Sequence, residues 1–315
     1  MNKLFTFLTL ISAFTVNAQI STNGTNNSGT FSSALGYQTT ASGNYSTAMG
    51  YQTTASESYC TAMGYVTTAS GSTSTSMGVN TTASGDGSTS MGNQTIASGN
   101  NSTAMGANTL ASGEVSTAMG YATTASGSSS VAIGLSTTAN GNNSTAMGIS
   151  TTASGSVSTA TGRSTKASDY GSTVIGQYNS SGSSVTNSAT SFSTSNTAFV
   201  IGNGTSGNLS DAFKVMFNGD ATISNDLTVV GDVEVQSDER LKSNIESLGS
   251  TLTKLLQLDG KSYELKGKQK IGLLAQDIQG VFPELVSKNE SEILAVNYQG
   301  LIPVLINAMK EQQGK

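Results

Sequence analysis

Small and apolar residues recur along the first half of the chain with a period of fourteen. Glycine fills one slot in eleven successive units, and the residue before it is apolar in ten of them. In the first ten units threonine follows this glycine by three residues and alanine by five. The glycines are Gly36, Gly50, Gly64, Gly78, Gly92, Gly106, Gly120, Gly134, Gly148, Gly162 and Gly176. A period without insertion indicates one fixed environment for each position, which is hard to reconcile with disorder.

Each unit predicts one coil of a parallel β-solenoid. The segment Ser46–Gly50 alternates at period two, as a strand does. Fourteen residues accommodate two short strands and two tight turns, and the glycines mark turns or points of close backbone approach. With coils stacked at ~4.8 Å, about ten coils form a rod roughly 50 Å long.

A coil of this size encloses very little. We expect each turn to bury one Met or Ile together with an Ala, with Thr as a further candidate. A core this thin is not expected to be stable alone, so the pattern predicts that several chains associate laterally.

The period is lost over residues 178–236, which we interpret as an interwound β-stalk. Ala198–Gly202 and Ala212–Phe217 are short apolar runs, and Asn218-Gly219 is a hairpin-turn signal. Leu227–Val235 alternates at period two and is predicted as a further strand.

Residues 237–315 have an ordinary globular composition and predict a small α+β domain. They hold both prolines, 10 of the 14 Lys and Arg and 10 of the 19 Asp and Glu. The pattern predicts a helix near Thr251–Leu258, strands near Ser262–Leu265 and Lys270–Leu274, and a short helix over Ala275–Val281. Asn297 is the expected cap of a final helix. The apolar face predicted for that helix consists of Leu301, Ile302, Leu305, Ile306 and Met309.

Composition and charge remove several classes of function. The net charge is −5 with a pI near 4.7, which argues against nucleic-acid binding. The chain has no His, which excludes Ser-His and Cys-His catalysis and His-ligated metal sites. We expect neither a cofactor nor a metal. The single cysteine, Cys60, fills a slot that is Ser in other units and is expected to be a small buried substitute.

A polysaccharide-cleaving site is not expected in the repeats. Glycoside hydrolysis needs two carboxylates. The repeats contain few carboxylates, and Glu57, Asp86 and Glu114 lie at least two units apart, so no two of them pair within one coil.

The first 18 residues are typical of a secretory signal peptide. Lys3 supplies the positive charge, Leu4–Val16 the short apolar region, and Val16-Asn17-Ala18 the small-residue cleavage site. The mature chain is then expected to begin at Gln19, with residues 19–30 leading into the repeats. Because this apolar run is too short to span a bilayer, a secreted or cell-surface protein without a transmembrane anchor is expected.

Three repeat units resemble the N-S-V-A-I-G repeat of YadA-type adhesin heads: Ser130–Gly134, Asn101–Gly106 and Asn143–Gly148. The resemblance covers residues 31–177. It implies a left-handed parallel β-roll assembled as a homotrimer, and some members of that family bind collagen or other matrix proteins. The Val of the family repeat is Thr in nine of the eleven units here. A matrix protein, a host surface or a surface glycan is therefore a candidate ligand class without a defined specificity.

Four blocks after residue 236 resemble the intramolecular chaperone domain of phage endosialidases and tail spikes. They occur in the family's order and are Ser237–Ile245, Gly272–Gln279, Phe282–Val286, and Val296–Tyr298 with Leu301-Ile302. The first block resembles the S-D-x-R-x-K start of that domain. This resemblance implies a C-terminal clamp that trimerises the chain and then cleaves itself off.

The same resemblance implies a Ser-Lys dyad. Ser237 corresponds to the nucleophile, Lys242 to the general base and Gln236–Ser237 to the scissile bond. Lys must lose its proton to act as a base, so a neighbouring cation such as Arg240 could assist. Asp238 is expected to position backbone or partner groups. A spacing of five does not align on one helix face, so Ser237 must be non-helical or the two residues must meet across subunits.

Other functions remain open from the sequence. The chain could be a phage-type tail fibre, although a signal peptide argues against one. Regular Thr ranks on a flat solenoid face could bind ice, and the rod could equally be a structural spacer that binds nothing.

Overall fold

A computed structural model describes residues 23–180, 188–288 and 292–314; the predicted signal peptide lies outside them. The chain divides into two compact units, Met1–Thr228 and Val229–Lys315, which are described separately.

The first unit is a parallel β-solenoid with two sheets. The short-strand sheet contains eleven two-residue strands in coil order. They are β1 (Asn26–Asn27), β3 (Thr40–Ala41), β5 (Thr54–Ala55), β7 (Thr68–Ala69), β9 (Thr82–Ala83), β11 (Ile96–Ala97), β13 (Leu110–Ala111), β15 (Thr124–Ala125), β17 (Thr138–Ala139), β19 (Thr152–Ala153) and β21 (Lys166–Ala167).

The long-strand sheet contains the five-residue strand of each coil. They are β2 (Ser33–Tyr37), β4 (Thr47–Tyr51), β6 (Thr61–Tyr65), β8 (Thr75–Val79), β10 (Thr89–Asn93), β12 (Thr103–Ala107), β14 (Thr117–Tyr121), β16 (Val131–Leu135), β18 (Thr145–Ile149), β20 (Thr159–Arg163) and β22 (Thr173–Gln177). Every residue pairs with the residue one period away, so Met91 lies beside Met105 and Gly92 beside Gly106. This register confirms the predicted solenoid and its period of fourteen.

The interior of each coil is filled by small side chains. Ala41 and Ala48 are fully buried, as is Thr39, and the equivalent residues of later coils repeat this arrangement. Strand alternation then directs Thr47 and Met49 outward, because they flank the inward Ala48. The expectation that each coil buries a Met or Ile is wrong, since Met49, Met63, Met119 and Met147 are 36–40% exposed. The space between the two sheets of these thin coils holds small side chains, chiefly Ala, Ser and Thr, with Val174 in the last coil.

The glycine at the fourth position of each long strand is required by the stacking. Gly50 has φ +127°, and a Cβ there would lie 2.0 Å from the carbonyl oxygen of Gly64 in the next coil. The same close approach recurs along the ladder, which explains why this slot never varies over the eleven units.

The connector begins as a continuation of the solenoid. Strand β23 (Thr197–Asn203) pairs in parallel with β22, with Thr173 opposite Phe199. Strands β24 (Asp211–Met216) and β25 (Ala221–Ile223) then add in antiparallel order and end the parallel ladder. The predicted turn at Asn218-Gly219 joins them, with Gly219 at φ +95°.

The strand predicted over Leu227–Val235 is not present. These residues form no ladder within the described chain, and Leu227, Val233 and Val235 are each more than 60% exposed. An alternating pattern forms a strand only when an edge is available to pair with it.

The second unit is a small α+β domain, as predicted. Its elements are α1 (Leu252–Leu255), β26 (Lys261–Leu265), β27 (Lys268–Gly272), α2 (Ala275–Val281), β28 (Val286–Lys288), β29 (Leu294–Val296) and α3 (Leu301–Gln313), with 3₁₀ turns at Glu239–Leu241 and Pro283–Leu285. β26 pairs with β27 and β28 with β29, both antiparallel. The first helix is shorter than predicted. The core of this unit consists of Ile278, Phe282, Leu285, Leu301 and Val304.

The final helix differs from its prediction in two respects. Gly300 is its N-cap, whereas Asn297 accepts the N–H of Gly300 through Oδ1 at 3.1 Å in the turn before it. The helix buries Leu301 together with Val304 and Ala308. The other residues of the predicted apolar face are 45–63% exposed: Ile302, Leu305, Ile306 and Met309. Apolar residues therefore occupy two stripes of α3, and one of them has no cover within the described chain.

Candidate active site at the start of the second unit

Ser237 and Lys242 meet within one chain. Lys242 Nζ lies 2.6 Å from Ser237 Oγ, although the residues are five apart in sequence. Ser237 precedes the 3₁₀ turn Glu239–Leu241, and Lys242 follows it as C-cap with extended backbone at φ −116° and ψ 149°. The serine is thus non-helical, which is the first of the two arrangements the spacing allows. A second subunit is not needed to make this contact.

The intervening turn is held by its own cap. Leu241 N–H donates to Asp238 O at 3.1 Å and Lys242 N–H to Glu239 O at 3.0 Å. Asp238 is the N-cap, and its Oδ1 accepts the N–H of Arg240 at 2.9 Å. None of the three turn residues is buried. The geometry of the site is therefore determined by local hydrogen bonds and not by core packing.

Arg240 is paired with Asp238. Its guanidinium donates from Nε to Asp238 Oδ1 at 2.9 Å and from Nη2 to Oδ2 at 2.7 Å. These hydrogen bonds hold the pKa of Asp238 below its ordinary value and raise the pKa of Arg240. The sequence suggested Arg240 as a cation acting on Lys242, whereas its guanidinium is engaged by a carboxylate.

The predicted scissile bond faces open space. Gln236 and Ser237 line a shallow surface cavity of about 510 Å³ with Asp238, Arg240 and Leu241. Water can therefore reach the Gln236 carbonyl and the Ser237 hydroxyl.

Residues of the Gly272–Gln279 and Val296–Tyr298 blocks line a second cavity, which does not include the Gln236–Ser237 bond. Leu273, Leu274, Ala275 and Gln276 line a space of about 540 Å³ together with Tyr298 and others. The Tyr298 hydroxyl accepts the N–H of Leu273 at 2.9 Å. A Cβ on Gly272 would lie 2.7 Å from that hydroxyl, so the glycine that opens this block makes room for the tyrosine. These residues shape the domain and lie on elements other than the 3₁₀ turn.

The outer face of the long-strand sheet is the other candidate surface. We call the rows of Thr and Met that point outward from this sheet the Thr–Met face. Thr117 is half-buried and Met119 is 36% exposed, and the same pair recurs in most coils. This face is uncharged and partly apolar along much of the rod.

Aromatic side chains stack along the first coils, a feature that sequence reasoning missed. Phe31, Tyr45 and Tyr59 stack at 5.3 and 5.0 Å between ring centroids. A second row stacks at 5.1 and 4.9 Å: Tyr37, Tyr51 and Tyr65. The signal was present, because residues fourteen apart must be neighbours once the period is known.

Cys60 is buried and donates from Sγ to Glu57 O at 2.8 Å, in the manner of the serine it replaces. Burial raises the pKa of its thiol. This confirms the expected structural role.

The described residues hold neither a cluster of metal-ligating side chains nor a membrane-spanning helix. No group of three or more Cys, Asp or Glu side chains within the described ranges could hold a metal ion. In the same part of the chain, no helix is both long and apolar enough to cross a membrane.

Both resemblances are found by comparison with known families. Seven matches to the YadA head domain repeat cover residues 28–53, 41–66, 69–95, 83–109, 111–137, 139–164 and 153–179. Residues 237–287 match Peptidase_S74, the chaperone of endosialidase. No curated protein matches the chain.

The chain therefore carries YadA head repeats followed by an endosialidase-type chaperone domain, in the order predicted. This combination supports a protein similar to adhesins or tail fibres. The second match supports a self-cleaving peptidase role for the C-terminal domain in general terms.

Proposed function

We propose that this chain is an exported, trimeric surface fibre whose C-terminal domain assembles the trimer and then cleaves itself off between Gln236 and Ser237. The observation that carries the cleavage is the 2.6 Å contact between Lys242 Nζ and Ser237 Oγ. It lies at the first residue of the chaperone match.

The chemistry follows from this contact. Lys242, as the neutral amine, takes the proton of Ser237 Oγ while that oxygen attacks the carbonyl carbon of Gln236. The C–N bond between the two residues breaks, and the proton passes to the departing amino group of Ser237. Water then adds its hydroxyl to the ester carbonyl and returns a proton to Ser237 Oγ. The products are a carboxylate at Gln236 and a free amino terminus at Ser237.

The trimer is supported by surfaces that one chain leaves uncovered. The coils enclose only small side chains, so each solenoid has little core of its own. The Thr–Met face offers the same pattern at most rungs, which suits the same face of another copy. In the chaperone domain the uncovered stripe of α3 offers a second apolar contact.

The repeats and the C-terminal domain complement each other during folding. Parallel pairing between distant coils is slow and exposes edges that aggregate. A C-terminal clamp that trimerises early holds three chains in register during this step. Cleavage then removes the clamp and leaves the fibre kinetically trapped.

Export and binding complete the proposal. Residues 1–18 serve as the signal peptide, residues 19–30 as a lead-in, 31–177 as the head, 178–236 as the connector and 237–315 as the chaperone. The head acts in adhesion to a matrix protein, a host surface or a glycan, the ligand classes that the resemblance to YadA-type heads implies. A phage-type tail fibre is the second candidate, favoured by the chaperone match alone. N-terminal sequencing separates them, because only the exported fibre begins at Gln19.

Substitutions at the dyad test the chemistry. Ser237→Ala, Lys242→Ala and Lys242→Arg are each expected to leave the chain whole, since a guanidinium keeps the charge but does not lose its proton. Ser243→Ala, at an exposed serine of the same segment, is the matched control and should cleave normally. Cleavage of Lys242→Arg at the wild-type rate would exclude Lys242 as the base.

A further inference from the structure

We propose that Asp238 is a positioning residue for the self-cleavage: it closes the single 3₁₀ turn that brings Lys242 onto Ser237. This inference rests on the proposed function and names a residue that acts through the turn without contacting the reacting atoms.

The turn is what makes the contact possible. Five residues of extended chain span roughly 17 Å, whereas Ser237 Oγ and Lys242 Nζ are 2.6 Å apart. The chain reverses through Leu241 N–H to Asp238 O and Lys242 N–H to Glu239 O. If these bonds open, Lys242 is free to move away from the serine.

The turn has little else to hold it. An isolated helical turn is unfavourable in water because several dihedral angles are fixed for one hydrogen bond. No residue of Glu239–Leu241 is buried. Among the described contacts, stabilisation of the turn comes from the Asp238 carboxylate, which caps the Arg240 N–H and also binds the Arg240 guanidinium.

The backbone cap and the ion pair that Asp238 makes with Arg240 can be removed separately. Capping needs only an acceptor oxygen, which Asn also provides. The bidentate ion pair needs the carboxylate and the guanidinium together. Asp238→Asn therefore keeps the cap and loses the ion pair, whereas Asp238→Ala loses both. Arg240→Ala keeps the backbone cap and loses the ion pair.

The test is the rate of appearance of the cleaved product during cell-free synthesis of the full chain. Asp238→Ala should slow cleavage about tenfold, the size expected when a capping residue is replaced by Ala. Asp238→Asn should recover much of the rate and match Arg240→Ala. The double variant Asp238→Ala/Arg240→Ala should be no slower than Asp238→Ala alone, because both changes break one contact.

The matched control is Asp259→Ala. Asp259 is an exposed carboxylate of the same domain that pairs with Lys261 two residues on, at 2.5 Å, outside the dyad turn. It should cleave at the wild-type rate. Trimer content of each variant, measured in a Ser237→Ala background, separates loss of positioning from loss of assembly.

The outcomes are distinct. If Ser237→Ala and Lys242→Ala block cleavage but Asp238→Ala, assembled as a trimer, cleaves at the wild-type rate, the positioning role is wrong and the dyad stands. If Asp238→Asn is as slow as Asp238→Ala, the cap is not the function of Asp238 and the inference is overturned. If wild type does not cleave, it is the proposed function that fails.

Discussion

Ser76 Oγ lies 2.8 Å from Thr81 Oγ1 inside one coil, and Ser90 repeats this contact with Thr95 at 2.7 Å. In these two coils Ser replaces the buried Ala that precedes Met elsewhere. The equivalent Thr hydroxyls of other coils, such as Thr123, are buried with no hydrogen-bond partner in the described chain. The serines therefore satisfy a polar group that the repeat otherwise leaves unpaired.

Adding this serine to another coil should stabilise the solenoid. Ala118→Ser places a hydroxyl where it can reach Thr123, and is expected to raise stability by about 1 kcal/mol, the usual net value of a buried hydrogen bond. Ser76→Ala should lower stability by a similar amount, about 1 kcal/mol. The guanidinium unfolding midpoint of the full chain measures both changes. A loss of stability in Ala118→Ser would show that the coil has no room for the extra atom.

Glu57 stands in a slot that is glycine in most coils. A Cβ on the equivalent Gly71 would lie 2.0 Å from Gly85 O in the next coil, so a side chain here forces the stacked backbones apart. We expect Glu57→Gly to raise the unfolding temperature. Gly71→Glu should destabilise the chain by more than about 2 kcal/mol, as for other strained backbone sites. Equal unfolding temperatures for the two variants would contradict this account of the slot.

Val115 occupies a left-handed corner at φ +56°. Such a conformation is strained for a β-branched residue and is tolerated well by Asn, which fills the same corner at Asn101 and Asn143. Val115→Asn should stabilise the solenoid by about 1 kcal/mol, and Asn101→Val should destabilise it by a similar amount. Thermal unfolding of the paired variants checks the sign. The same sign for both changes would exclude corner strain as the cause.

The Thr–Met face should be required for the cleaved fibre to stay trimeric. Met119→Asp places a charge on that face and is expected to reduce the trimer fraction in sedimentation of the cleaved product. Ser112→Asp, at an exposed position beside the short-strand sheet, is the control and should leave the trimer intact. A Met119→Asp fibre as trimeric as the control would place the subunit contact on another surface.

Glu311 links the last helix to the first helix of the chaperone domain. Its carboxylate accepts the backbone N–H of Thr251 and the hydroxyl of Ser250, the latter at 2.7 Å. These bonds hold its pKa below the ordinary value of 4.5, with the Thr251 N–H as the largest cause. A lowered folded pKa stabilises the domain above the unfolded value and loses that contribution as the pH falls through the folded one.

Unfolding of the full-length Ser237→Ala chain across this acid range measures the linkage. Glu311→Gln should weaken the fall in domain stability between pH 4.5 and the lower folded pKa. Glu246, an exposed carboxylate of the same domain, supplies the matched Glu246→Gln control. If both variants follow the wild-type curve, the Glu311 cap does not contribute to acid stability.

The sequence predicted the coil well because a fixed period constrains every position at once. The spacing that separates Gly92 from Gly106 determines the register of both sheets. The period did not show which alternate residues of the long strand point inward, because Ala48 and Met49 are adjacent and both apolar. The two sheets lie too close together for a Met side chain to fit between them, and this separation is what excludes Met from the interior of the coil. The extra rung at Thr197–Asn203 was missed for a different reason: the residues between Gln177 and Thr197 break the period.

The site was predictable in identity but not in geometry. The family blocks pointed to Ser237 and Lys242, while the spacing of five left open how they meet. The missing information was one 3₁₀ turn. An Asp before a short polar turn is an N-cap signal visible in the sequence, and Asp238 supplied it. At Leu227–Val235 the sequence pattern predicts a strand that the structure lacks, because the described chain offers no strand edge for it to pair with.

The intact mass of the purified wild-type protein tests the central claim most directly. We expect two chains: a fibre chain from Gln19 to Gln236 and a chaperone fragment that begins at Ser237. A single uncleaved trimer would contradict it, because the C-terminal domain would then be a permanent clamp and Ser237 and Lys242 would have no catalytic role.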